Sequence, residues 1–350
     1  MAQFFKPHGI FVSNGEIFIC DTSNHRVRKV LRNGQIVTIA GNGREGYNGD
    51  GQLATDAELN RPHTVFVSSS DQVYITDMNG HRIRRIDRNG ILSTIAGTGE
   101  CGYNGEGRLA TSAQLNFPTG LFVTEDEQVL FVDRENYRLR KIGRNGIIST
   151  IGGKRMGKVV LSHCVMPSCV FQYKNEIYFA DCGRIRKMDG NSKISTVAEK
   201  QDGNFIGNPY SMFIHNDTIY FSDYQIPQIR KILPNGMIKV IAGTKRKGHL
   251  GNDMPATQCE LDSPREVFVD EDSQVYIADT HNHCIRKIDT NGIMTIVVGT
   301  AGQYGYSGDV PFDFQKYPHI GPRKKQLFKT IPNAYHDMIV KCVETDTFNQ

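Results

Sequence analysis

The sequence predicts an all-β chain folded as a six-bladed β-propeller of four-stranded antiparallel blades. Three observations carry this. An apolar-aromatic run ending in Asp occurs six times, as IFICD, VYITD, LFVD, IYFAD, IYFSD and VYIAD, closing on Asp21, Asp77, Asp133, Asp181, Asp223 and Asp279. A basic run follows each one: HRVRKV, HRIRRI, YRLRKI, GRIRKM, PQIRKI and HCIRKI. A Pro-led apolar run precedes each one: PHGIFV, PHTVFV, PTGLFV, PSCVFQ, PYSMFI and PREVFV. Self-similarity at intervals of 56, 56, 48, 42 and 56 residues is the mark of a repeat architecture.

Each unit reads as four short strands. The Pro-led run is the first and the Asp-ending run the second. The basic run is the third, and a run such as IVTIAG or ILSTIAG is the fourth. Between the last two stands a turn, usually Asn-Gly, at 33–34, 89–90, 145–146, 235–236 and 291–292. Asn-Gly between β-type runs is the strongest short hairpin signal, because both residues tolerate positive φ. Four-stranded units of this period bury both faces against their neighbours around a central channel, which is the logic of a propeller blade. The repeats are bounded at about 7–61, 62–117, 118–166, 167–208, 209–263 and 264–310, so residues 1–310 form one domain. Residues 311–350 read as a vestigial repeat, opened by Pro318-His319-Ile320, or as a disordered tail.

The joins between units have their own signature: GYNGDGQLATDAELNRP, GYNGEGRLATSAQLNFP and HLGNDMPATQCELDSP. Thr55, Thr111 and Thr257 stand three residues before Glu58, Gln114 and Glu260, the spacing of a capping box on a very short helix. The Gly, Asn and Asp of GYNGDG offer oxygens to calcium, but the spacing is not that of an EF-hand loop, and a tight glycine turn is the preferred reading.

Composition excludes several classes. Of 350 residues, 39% are hydrophobic and 22% charged, with 35 glycines, which fits a compact, turn-rich protein rather than a disordered or fibrous one. A net charge of +4 from 41 basic and 37 acidic residues does not by itself imply nucleic acid or an anionic membrane. No run approaches the roughly 20 apolar residues of a membrane-spanning helix, and the start MAQFFKPHGIFV lacks a signal-peptide pattern. The expectation is a soluble chain, cytoplasmic by default. The eight cysteines have irregular spacing and no CxxC pair, so they read as free thiols.

DTSNHRVRKVLRNG, with its Asp-ending strand, basic strand and Asn-Gly turn, resembles the NHL repeat family, and the resemblance covers roughly residues 5–310. It implies a six-bladed propeller that serves as a binding platform for protein or RNA.

Candidate residues follow from position in the repeat. The six aspartates stand at one place in every unit, which points to structure, since Asp at a strand end accepts local backbone or arginine hydrogen bonds. The Arg seven positions later, Arg28, Arg84, Arg140, Arg230 and Arg286, with Arg186 after a two-residue deletion, reads as paired with Asp or solvated. The residue after each leading Pro lies near the central channel: His8, His63, Thr119, Ser168, Tyr210 and Arg265. Three histidines there, with His319, would suit zinc, and a peptide-amidating lyase on a related propeller is similar in using channel histidines this way. Four of the six positions are not His, so no metal and no cofactor is assigned. His25, His81, His281 and His283 beside the Asp turns read as turn residues.

The functional expectation is a non-catalytic platform that binds a protein or peptide through rim loops. The favoured contacts are residues 154–166, residues 199–208 and the basic Lys245, Arg246 and Lys247. The alternatives are a metal-dependent lyase, hydrolase or lactonase at the channel mouth, and RNA binding through a basic face.

Overall fold

The computed structural model describes residues 2–155, 158–159, 167–199 and 206–309. Six antiparallel sheets follow one another along the chain, and in each the four blade strands are paired in sequence order. The first blade is Ile10–Ser13, Glu16–Asp21, Arg26–Val30 and Ile36–Ala40. The innermost strands of the other five are Pro62–Val67, Pro118–Val123, Pro167–Tyr173, Pro209–His215 and Pro264–Val269. The third and sixth sheets each carry a fifth, two-residue strand on the outer edge, Lys158–Val159 and Met254–Pro255. Among the described residues the helices are three-residue 3-10 turns, and none is long and apolar enough to cross a membrane. Residues 311–350, including His319, and most of 154–166 and 199–208 lie outside the described residues.

The innermost strands meet around the axis, and the sixth returns to the first. At the level of Phe11, Phe66, Phe122, Phe171, Phe213 and Phe268 the six rings form a closed circle. Neighbouring centroids are 4.8, 5.2, 4.9, 5.0, 4.5 and 5.0 Å apart, at tilted or edge-on angles. Edge-to-face contact at this spacing is the favoured arrangement of aromatic pairs. A regular hexagon has a radius equal to its side, so each centroid lies about 5 Å from the axis, and the rings' own bulk occupies most of that space. The circle is a septum across the channel. Glycine permits the close approach above it: a Cβ on Gly9 would meet the His63 carbonyl at 2.6 Å, and one on Gly120 would meet Cys169 Cα at 2.8 Å.

Each strand-ending aspartate is buried and lies beside the arginine seven positions on, or five in the fourth blade. The Arg–Asp distances are 3.5 Å for Arg28–Asp21, 3.8 Å for Arg84–Asp77, 3.0 Å for Arg140–Asp133, 3.6 Å for Arg186–Asp181, 3.4 Å for Arg230–Asp223 and 2.8 Å for Arg286–Asp279. The same carboxylates accept backbone N–H groups from the incoming linker, as from Phe5 (2.8 Å) at Asp21, Asn60 (2.6 Å) at Asp77 and Asp262 (2.8 Å) at Asp279. The arginines in turn donate to linker carbonyls, Arg140 to Gly105 (2.7 Å) and Arg286 to Gly251 (2.8 Å). A buried ion pair of this kind is costly to break, because removing one partner strands the other's charge.

Histidines in the turns act as staples. His25, His81 and His283 adopt left-handed backbone conformations. Each presents Nδ1 to the backbone N–H of the residue before the next blade's proline, Arg61 (3.3 Å), Phe117 (3.2 Å) and Lys6 (3.1 Å).

Ring closure reuses the linker signature. Tyr47 of GYNGDG lies under Arg82 and Arg84, and Tyr103 of GYNGEG under Arg138 and Arg140. Asp50 accepts from Arg84 (2.9 Å) and Thr94 (3.0 Å), and Glu106 from Thr150. At the seam, Tyr306 stacks under Arg26 and Arg28, and Asp309 accepts from Arg28 (2.9 Å from Nε) and Thr38. Residues 305–309 therefore dock on blade 1 as 46–50 dock on blade 2. The N-terminal Gln3 and Phe4 bridge Ser307 and Tyr304 to complete the join.

The capping-box expectation needs correction. The 3-10 turns Ala110–Ser112 and Ala256–Gln258 are preceded by Leu109 and Pro255, neither with a side-chain cap, so Thr111 and Thr257 lie inside the turns. The linker asparagines do the local work instead: Asn48 and Asn104 Oδ1 accept the N–H of Glu58 and Gln114, both at 2.8 Å.

Candidate binding site at the channel mouth

Four antiparallel strands return the chain to the side on which it entered the blade. The linkers, the starts of the innermost strands and the turns after each Asp therefore share one face. In blades 2 to 6 the pairing between first and second strands shifts register just after the leading residues. A β-bulge at a strand end re-aims the side chains around it. This sets the residues after each proline at the channel mouth, above the phenylalanine septum.

His8 and His63 pack edge to face with ring centroids 4.8 Å apart. His63 Nε2 lies 2.8 Å from Tyr210 Oη, across the mouth from blade 2 to blade 5. Its Nδ1 lies 3.1 Å from Thr64 Oγ1, so both ring nitrogens are engaged. Arg265 stacks on Tyr210 and Tyr224, its guanidinium carbon 4.4 and 4.7 Å from the two ring centroids. Ser168 donates to the Pro209 carbonyl at 3.3 Å. Thr119 is buried and its hydroxyl has no hydrogen-bond partner, nor do His8 Nδ1 and Arg265 Nε. Unsatisfied buried polar atoms are uncommon, and several at one opening call for an explanation.

The local potential is positive. Burial is the main cause holding His8 well below its ordinary value, with His63, Arg265, Arg61 and His281 adding to it. His63 is lowered to about 3 by burial, then by Arg265 and Arg134. Both rings are neutral at pH 7. Glu266, one residue beyond Arg265, accepts from Ser211 Oγ at 2.8 Å, and burial pushes it up to about 7.

All six residues after the leading prolines sit at this end of the channel, although only His8, His63, Tyr210 and Arg265 touch one another. Lys245, Arg246 and Lys247 are exposed on the linker into blade 6, outside the mouth. His8 and His63 are two potential metal donors; among the described residues no group of three or more His, Cys, Asp or Glu converges as a metal site would require. Sequence reading overlooked Tyr224, Arg61, Arg134 and Glu266. Glu266 carried a signal, since Gly, Thr, Ser or Cys fills its place in the other five units.

Comparison with known proteins agrees with the blade architecture. The teneurin NHL domain family matches residues 42–102 and 245–311, and the NHL repeat family matches residues 4–30. Teneurin-4 of Mus musculus is 25% identical over 312 residues, covering 79% of this chain and 10% of that protein. Protein SUPPRESSOR OF QUENCHING 1, chloroplastic, of Arabidopsis thaliana is 27% identical over 302 residues, covering 83% of this chain and 25% of that protein. The chain thus spans a quarter or less of the length of these relatives. Among solved structures, virginiamycin B lyase from Staphylococcus aureus superposes with a TM-score of 0.53 at 16% identity, covering 85% of this chain and 86% of that one. A gluconolactonase from Xanthomonas campestris gives 0.58 at 11% identity, covering 84% and 87%. At such identities these two share the fold alone. Six Asp-ended blades, the basic third strands and the family matches together make this chain a six-bladed β-propeller of the NHL repeat type.

Proposed function

We propose that this propeller is a non-catalytic binding module that engages a peptide or protein segment at the channel mouth on the linker face. The observation that carries the reading is the Arg265 guanidinium, held on Tyr210 and Tyr224 at the mouth with no carboxylate in ion-pair distance among the described residues, above a channel that the phenylalanine circle closes. A closed channel offers a pocket rather than a passage, and unspent donors and acceptors at its floor suit recognition of a polar group. Tyr210 and Tyr224, with centroids 5.8 Å apart and planes tilted by 40°, add aromatic surface of the kind enriched at interface hot spots. The NHL resemblance points the same way. The metal-dependent lyase, hydrolase or lactonase reading would need metal donors beyond His8 and His63.

Selection of a random peptide display library on the immobilised protein tests this. Enriched peptides are expected to lose at least tenfold in affinity against Tyr210→Ala. Peptides indifferent to Tyr210→Ala, or a library yielding no binders, would count against the mouth as the binding surface.

A further inference from the structure

We infer that the channel mouth recognises a carboxylate group of its peptide partner, with Arg265 as the anchoring cation and Thr119 and His8 as flanking hydrogen-bond groups. This rests on the peptide-platform reading above and specifies its chemistry.

Arg265, on an innermost strand, is unlike the arginines of the third strands. Each Asp-paired arginine faces a carboxylate of its own blade. Among the described residues no carboxylate lies within ion-pair distance of Arg265, whereas all six blade arginines have one. Its position is nevertheless fixed. Tyr210 and Tyr224 hold the planar guanidinium by stacking, and Tyr210 is itself held by His63 Nε2 at 2.8 Å. A pre-positioned guanidinium with its fork unspent matches the two oxygens of a carboxylate, and little side-chain freedom remains to be lost on binding.

The surroundings favour an anion over a cation. Arg265 acts on both histidines of the mouth, Arg61 on His8 and Arg134 on His63. The Thr119 hydroxyl, 1% exposed and without a partner, supplies a second donor from blade 3. His8 Nδ1 supplies a third group from blade 1. The Glu266 carboxyl is already engaged by Ser211, and burial holds it towards its neutral form, so it opposes an incoming anion less than an exposed glutamate would. One fixed guanidinium flanked by neutral groups suits a planar monoanion. A nucleic-acid backbone, by contrast, is met by a track of cations along successive phosphates.

Three acetylated tripeptides distinguish the sources of the carboxylate: Ac-Ala-Ala-Glu-NH2 carries it on a side chain, Ac-Ala-Ala-Gln-OH at the C-terminus, and Ac-Ala-Ala-Gln-NH2 not at all. Titrated by NMR into the full chain at low salt, at least one acidic peptide should bind tenfold or more tightly than the neutral one. Arg265→Leu should abolish that preference, and the near-isosteric Thr119→Val should reduce it severalfold, with circular dichroism confirming that both variants fold. Equal binding of all three peptides, sensitive to the mouth substitutions, would overturn the carboxylate inference and leave the platform reading standing. Absence of any peptide binding, with Arg265-dependent and steeply salt-dependent binding of oligouridine, would overturn both.

Discussion

Phe122 sits in the septum between Phe66 and Phe171, with centroid distances of 5.2 and 4.9 Å and interplanar angles of 62° and 60°. Replacing it by Leu keeps a large apolar side chain but removes both edge-to-face contacts. Aromatic pairs contribute about 0.5–1.5 kcal/mol each beyond their buried area, so Phe122→Leu should cost about 1–3 kcal/mol. Phe122→Ala, which also opens a cavity, should cost about 3–5 kcal/mol. The circle makes a sharper claim than either value. Phe122 touches Phe171 but stands opposite Phe268, with Phe171 and Phe213 between them on one side and Phe66 and Phe11 on the other. In urea-unfolding double-mutant cycles, Phe122→Leu with Phe171→Leu should show a coupling of about 0.5–1.5 kcal/mol. Phe122→Leu with Phe268→Leu should be additive to within about 0.5 kcal/mol. Additivity of the adjacent pair, or equal coupling of the opposite pair, would refute the closed aromatic circle.

The buried Asp–Arg pairs and the seam make a second contrast. Asp279→Ala leaves Arg286 buried without its carboxylate and removes the acceptor for Asn282 and the Asp262 N–H, so thermal unfolding should report a loss of about 3–5 kcal/mol. Asp309→Ala should cost only about 1–2 kcal/mol, because Arg28 keeps Asp21 and the carbonyls of Gln3 and Ser307. Protonation gives a third test. The folded-state value of His63 is depressed to about 3, so its contribution is present above the unfolded value near 6.5 and is lost as pH falls below it. Stability measured by urea unfolding should drop by up to about 1.4 kcal/mol per pH unit below 6 on account of this one residue, and His63→Gln should show a shallower fall. Glu266 has the opposite sign: its folded-state value is raised to about 7, so it favours the fold at low pH and this advantage fades as pH rises from about 4.5 through 7. Glu266→Gln should therefore gain stability relative to the parent between pH 5 and pH 8, and a constant difference across that range would contradict the assignment.

Much of the architecture was legible because every blade solves the same problem with the same residues. The Asp-ending strand, the basic strand and the Asn-Gly turn each have a local physical cause, so repetition exposed them. The phenylalanine circle was less visible, although Phe stands in the same place in all six Pro-led strands. One unit says only that the position is apolar; closure turns six apolar positions into a septum. The capping boxes failed for a related reason. Thr111 and Thr257 have the right spacing, but the asparagine of a neighbouring loop and the carbonyls of the next blade already satisfy the linker backbone. The candidate site was only partly readable. His8, His63, Tyr210 and Arg265 follow prolines that mark the channel. Tyr224 and Arg134 come from turns after Asp, where nothing in the local sequence shows that a side chain leans over a mouth built by other blades.

The most direct test of the account is a crystal structure of the full chain soaked with a peptide selected from the display library. The account predicts peptide density at the mouth on the linker face, with a carboxylate oxygen within about 2.7–3.2 Å of Arg265 and Thr119. Density confined to the opposite opening of the channel, or to the outer edges of the blades with Arg265 and Thr119 still unpartnered, would contradict it.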